Sequence, residues 1–104
     1  MTHPLATVMD EADLQSSVID MCRVLSLLWY FTKDSRRSPA GFPDLIIVGR
    51  RLIARELNTA RGKTTPDQEK WLAALRHAGV DADVWRPADW FDGNIQRQLQ
   101  GLRR

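Results

Sequence analysis

Hydrophobic positions along this chain change period from block to block, and each change marks an element. From Asp10 to Leu28, apolar residues recur at steps of three and four: Leu14, Val18, Ile19, Cys22, Leu25 and Leu28. That spacing predicts a helix over 10–28 with one buried stripe. Trp29 to Thr32, "WYFT", is aromatic and β-prone, and predicts a short strand. The polar "KDSRRSPAG" that follows, with its proline and glycine, predicts a loop.

Two apolar runs rich in β-branched residues come next, Leu45 to Val48 and Leu52 to Leu57, separated by Gly49-Arg50-Arg51. They predict a hairpin whose two strands are apolar on both faces, as a buried central pair requires. If the turn centres on Arg50, Val48 faces Leu52, Ile46 faces Ala54, and Asp44 faces Glu56. A second helix is announced by Thr65 as N-cap, Pro66 at the first helical position and Gln68 completing a capping box. Trp71, Leu72, Leu75 and Ala78 form its expected buried stripe, and Gly79 suits its C-terminal turn. Val80, Ala82 and Val84 alternate as a strand does, and Pro87 ends it. A final helix, weakened by Gly93, carries Phe91, Ile95, Leu99 and Leu102 on one side. The expected order is α-β-β-β-α-β-α, an α/β fold with a mixed sheet and helices on its faces.

The 104 residues suffice for one domain, 1–104, and the 43% hydrophobic and 27% charged content is that of a globular protein, not a disordered one. No apolar run nears the roughly 20 residues that cross a bilayer, and no basic-then-apolar leader precedes Asp10, so no membrane role and a cytoplasmic location are expected. The single cysteine, Cys22, excludes an internal disulfide and reads as a small core residue in a reducing compartment.

Charge changes the picture through its distribution, since the net is only +2. Lys33, Arg36, Arg37, Arg50, Arg51, Arg55, Arg61 and Lys63 are opposed in their segment only by Asp34, Asp44 and Glu56. Such a segment is either a solvated basic surface or a phosphate-binding face, and charge alone does not decide between them.

Asp44 and Glu56 carry the candidate chemistry. Directly opposed side chains on one face of an antiparallel pair have Cβ atoms roughly 4.5–5.5 Å apart, so two acids so placed repel unless something compensates. A divalent cation would do so; frayed strand ends with both acids in solvent are the other reading.

Pro43-Asp44, then Glu56-Leu57-Asn58, then Gln68 and Trp71, resemble the PD-(D/E)xK nuclease pattern. More narrowly, the chain resembles a VRR-NUC domain, the virus-type replication–repair nuclease module. "EADLQ" at Glu11 to Gln15, "DSRRSPAGFPDL" at Asp34 to Leu45, "RELNTARGKTTPDQEKWL" at Arg55 to Leu72 and "AGVDADVWRPADW" at Ala78 to Trp90 carry the likeness in order. The resemblance implies a restriction-endonuclease-like α-β-β-β-α-β core and a Mg²⁺- or Mn²⁺-dependent DNA phosphodiesterase. In that reading Asp44 and Glu56 are metal ligands, with the Leu57 backbone carbonyl as a third and Glu11 completing the shell. Gln68 supports the site; from the charge pattern, Arg36, Arg37, Arg61 and Lys63 are the expected contacts to DNA, branched or duplex, with solvation of the loop the other reading of Arg36 and Arg37. A structure-selective enzyme of phage or bacterial origin, acting on substrates such as Holliday junctions as a homodimer, is the implied form.

Other readings accompany these residues. Glu11 also suits the positive end of a helix, and Gln68 its capping box. His3 and His77 lie away from the acid pair in sequence, and Trp29, Trp71, Trp85 and Trp90 fit core or interface positions better than base-stacking ones.

One position departs from the pattern. Two residues after Glu56, where the resemblance implies a catalytic lysine, stands Asn58. Asparagine can hydrogen-bond a water but supplies no positive charge. Three explanations are open: cleavage is reduced or lost, leaving a metal- and DNA-binding module; Lys63 or a nearby arginine replaces the charge; or the fold tolerates another residue here.

Overall fold

The computed structural model describes residues 3–32 and 38–104. After a short 3₁₀ turn at Pro4–Thr7, helix α1 spans Glu11–Val24, and strands β1 (Leu28–Phe31), β2 (Leu45–Val48) and β3 (Leu52–Leu57) follow. Helix α2 (Pro66–His77) leads to β4 (Asp81–Trp85), and two short helices, α3 (Pro87–Phe91) and α4 (Asn94–Gln100), close the chain. The strands form one sheet in the order β1-β2-β3-β4, antiparallel except for the parallel β3–β4 pair. This is the mixed α+β architecture that the pattern predicts.

The hairpin register matches the expected arithmetic: Val48 pairs with Leu52 and Ile46 with Ala54. Three boundaries differ from expectation. Helix α1 stops at Val24, four residues early, because Ser26 takes a positive φ of 57° and the Leu27 N–H closes onto the Cys22 carbonyl at 2.9 Å. That bond and the one from Ser26 to Arg23 are the paired closures of a Schellman cap, which frees the chain to enter β1 at Leu28. Pro87 does more than end β4, since it opens α3 at its first turn, where no N–H is needed. The single final helix is two, broken at Gly93, whose φ of 85° no helix interior accepts.

The sheet sorts its residues by parity. Leu45, Ile47, Ile53, Leu57 and Trp85 join Leu14, Val18, Cys22, Ile95, Leu99 and Leu102 in the main core, between the sheet and α1 with α4. Burial in that core pushes the Cys22 thiol up to about 11, which keeps it an inert packing residue. The opposite face is covered by α2 alone, through Leu72 on Ala54 and Ala82. Of the expected α2 stripe only Leu72 is fully buried: Trp71 and Leu75 are half-buried and Ala78 is exposed. Helix α2 therefore roofs the β3–β4 side of that face and leaves the β1 side open, where Leu28 is 70% and Tyr30 66% exposed. Among the described residues no helix is long and apolar enough to cross a membrane.

Candidate active site

Asp44 lies one residue before β2 and is held from both neighbouring strands. Its backbone carbonyl accepts from the Thr32 N–H beside β1 at 2.9 Å, and Oδ2 accepts from the Leu57 N–H in β3 at 2.8 Å. Thr32 adds a hydroxyl bond to the Pro43 carbonyl at 3.0 Å. The ladder ends at Leu45 opposite Arg55, so Asp44 and Glu56 occupy the next register step. Both face the α2 side of the sheet.

Glu56 is 3% exposed, and its Oε2 has no hydrogen-bond partner among the described residues. Its Oε1 accepts from Gln68 Nε2 at 3.3 Å. Burial first, then the adjacent Asp44 carboxylate and the charge of Glu11, raise the Glu56 carboxyl to about 9. Gln68 meanwhile completes the capping box, its Oε1 accepting from the Thr65 N–H at 2.9 Å. The helix cap and the support of Glu56 are thus two ends of one amide.

Glu11 opens α1 behind Asp10, which caps the helix through Asp13. Burial, with the charges of Asp44 and Asp10, raises the Glu11 carboxyl. Glu11, Asp44 and Leu57 line one cavity of about 40 Å³. Among the described residues no three His, Cys, Asp or Glu groups converge closely enough to hold a metal between them. Two converging carboxylates still suit Mg²⁺, which keeps several waters and is usually bound through one or two carboxylates. The partnerless buried Glu56 Oε2 beside Asp44 is an oxygen that such a cation would satisfy, so the donor set fits.

Asn58 does not join this set. It is 7% exposed, continues the β3–β4 pairing through its N–H to the Trp85 carbonyl, and turns its Oδ1 to the Thr59 N–H at 2.9 Å. A Cβ at position 62 would lie 1.9 Å from that Oδ1, so any side chain there would displace the Asn58 amide. Arg86, the residue just before α3, clamps the turn, donating from one guanidinium nitrogen to the Thr59 and Gly62 carbonyls, each at 2.7 Å. Nothing in the spacing of the sequence signals this role of Arg86. Asn58 lines neither the small cavity nor the larger groove described below.

The basic segment is contiguous only in sequence. Arg50 and Arg51 sit at the turn, the opposite end of the hairpin from Asp44 and Glu56. Arg55 is not a surface residue at all: it is 3% exposed, pairs with Asp81 at 3.0 Å, donates to Gln98 and the Asp81 carbonyl, and lies over the Trp85 ring. Burial lowers its pKa, with Asp81 opposing the shift. Arg61 and Lys63 are exposed on the loop after β3 and border neither cavity. Arg36 and Arg37 lie outside the described residues. His3 caps the 3₁₀ turn and stacks on Phe91, while His77 is exposed in the last turn of α2.

A groove of about 720 Å³ opens onto Asp44, Glu56 and Gln68. Its sides include Tyr30, Phe42 and Trp71, with Phe42 edge-on to Trp71 at 5.0 Å. Gly41 makes this wall: at φ 99° it lies against the first turn of α2, where a Cβ would meet the Asp67 backbone at 2.5 Å. Trp71 is therefore a site-lining residue and not core, which its helical spacing alone could not distinguish.

No protein-family model and no curated protein matches the sequence. Among solved structures the chain is similar to a protein described as a "VRR_NUC domain protein", with a TM-score of 0.69 and 20% sequence identity over 88% of this chain and 89% of that one. The chain thus shares the fold of a VRR-NUC domain, a restriction-endonuclease-like architecture.

Proposed function

We propose that this chain is a divalent-cation-dependent DNA phosphodiesterase of low intrinsic rate. Asp44 and Glu56 are its principal ligands for Mg²⁺ or Mn²⁺, with the Leu57 carbonyl as a further donor and Glu11 adding negative charge nearby. The observation that carries this reading is Glu56, a buried carboxyl with one partnerless oxygen, set against Asp44 with Glu11 near. A buried acid in such company is costly unless a cation neutralises it. Such a cation, when bound, supplies charge neutralisation at the scissile phosphate and lowers the pKa of a bound water.

The chain's own residues do the rest. The bonds from Thr32 and Leu57 fix the direction of Asp44. Gln68 orients Glu56, which would hold the cation as a carboxylate. Arg61 and Lys63, exposed on the loop that leaves the site, contact the phosphate backbone of branched or duplex DNA. The low rate follows from Asn58, whose side chain is committed to its own turn and brings no charge to the phosphate. Losing one preorganised electrostatic contact costs on the order of 10²–10³ in rate.

That same commitment favours a second reading, a DNA-binding module that holds its cation without cleaving. Cleavage of linear, nicked and four-way DNA with Mg²⁺ or Mn²⁺ separates the two. Weak cation-dependent cleavage abolished by Asp44→Asn supports the enzyme. DNA binding that survives EDTA, with every substrate left intact, supports the module.

A further inference from the structure

We infer that the aromatic groove beside the carboxylates takes an unpaired nucleotide of the substrate strand, its base stacked against Tyr30 and Trp71. This inference rests on the nuclease reading of Asp44 and Glu56. Three observations carry it.

The groove is continuous with the acid pair. Helix α2 covers the β3–β4 side of its sheet face, and the groove occupies the open side, with Asp44, Glu56 and Gln68 at one end. The opening gives a strand whose phosphate lies at those acids a place for its neighbouring nucleotide.

The walls offer aromatic faces to a base. Tyr30, Phe42 and Trp71 line the groove. Every base has an uncharged π-face that stacks on aromatic side chains. Trp71 also borders a second hollow of about 260 Å³ that includes Lys70, so it stands as a partition between open spaces. Tyr30, at 66% exposed, leaves most of its surface to a ligand.

The volume suits one nucleotide. About 720 Å³ lies within the roughly 300–1,000 Å³ typical of small-molecule sites. A base still paired in a duplex keeps its faces against its neighbours and cannot offer one to a side wall. The preferred substrate therefore carries an unpaired nucleotide next to the cleaved bond, as an overhang, gap or branch point does.

The test uses the intact chain in EDTA with a duplex bearing a single-stranded overhang that contains 2-aminopurine, and a blunt duplex as control. Binding should quench the 2-aminopurine in the overhang. Tyr30→Ala and Trp71→Leu should each weaken overhang binding about tenfold and abolish most of the quenching, while blunt-duplex affinity stays within about twofold. Tyr30 is exposed enough for its variant to fold, which guards against misreading a destabilised Trp71→Leu. Absence of quenching in the unsubstituted chain, or equal losses on both DNAs, overturns the inference. So does a Tyr30→Ala variant that splits a dimer in sedimentation and changes neither affinity, because the open face would then be a subunit contact. These outcomes leave Asp44-dependent cleavage intact, whereas cleavage insensitive to Asp44→Asn removes the nuclease reading itself.

Discussion

Gln68 donates from Nε2 to Glu56 Oε1 at 3.3 Å while its own Oε1 accepts the Thr65 N–H at 2.9 Å. One amide thus ties the start of α2 to the buried acid of β3. Gln68→Glu and Gln68→Ala separate the two tasks. Glutamate keeps the capping box but loses the donor to Glu56, so helix stability is retained while cation affinity and cleavage change. Alanine loses both, with a stability cost of about 1 kcal/mol. Thermal unfolding alongside cleavage reads the difference; equal melting losses in both variants would show that the cap is not what Gln68 stabilises.

The raised Glu56 carboxyl fixes the sign of a pH dependence. In the unfolded chain this acid ionises near its ordinary 4.5; in the fold it holds its proton to about 9. Between those values the folded state binds more protons than the unfolded one, so cation-free stability falls as pH rises. Each ~1 kcal/mol lost shifts Tm by about 4–8 °C in a domain of this size. Glu56→Gln should flatten the fall between pH 6 and 9, and so should saturating Mg²⁺. A Tm that rises with pH over this window in the cation-free chain would contradict the assignment.

Asn58→Lys is expected to move activity and stability in opposite directions. It removes the Oδ1 that caps the Thr59 N–H from a buried turn closed over Gly62, and should cost about 1–3 kcal/mol. The restored charge should raise Mg²⁺-dependent cleavage by about 10². Asn58→Asp keeps the acceptor and should leave cleavage low. If lysine brings no gain, position 58 is not what limits the rate.

Arg55 predicts a loss of fold and not of DNA affinity. Arg55→Ala should destabilise by about 3 kcal/mol, since it empties a buried site and strips Gln98 and Asp81 of their shared partner. The salt dependence of DNA binding should not change, whereas Arg61→Ala or Lys63→Ala should reduce its slope by about one. A reduced slope from an Arg55 variant that remains folded would return Arg55 to the binding surface.

The hairpin was readable because a tight turn leaves few registers, and alternation about Arg50 then sets Asp44 beside Glu56. The start of α2 was readable because Thr65, Pro66 and Gln68 each act locally. What could not be read depends on distant partners. Arg55 looks like surface charge until Asp81 and Trp85 of β4 and Gln98 of α4 arrive around it. Asn58 looks like a site residue by alternation, but Gly62 and Arg86 turn its side chain into the loop. Trp71 lies on a helical stripe, yet α2 covers too little of the sheet to bury it.

The central claim is that Asp44 and Glu56 form a cation site, and calorimetric titration of Mg²⁺ or Mn²⁺ in two buffers of different ionisation enthalpy tests it most directly. At pH 7.5 we predict one site per chain, release of about one proton from Glu56 on binding, and loss of both in Asp44→Asn. Binding that releases no proton and persists unchanged in Asp44→Asn, or no binding at all, would contradict it.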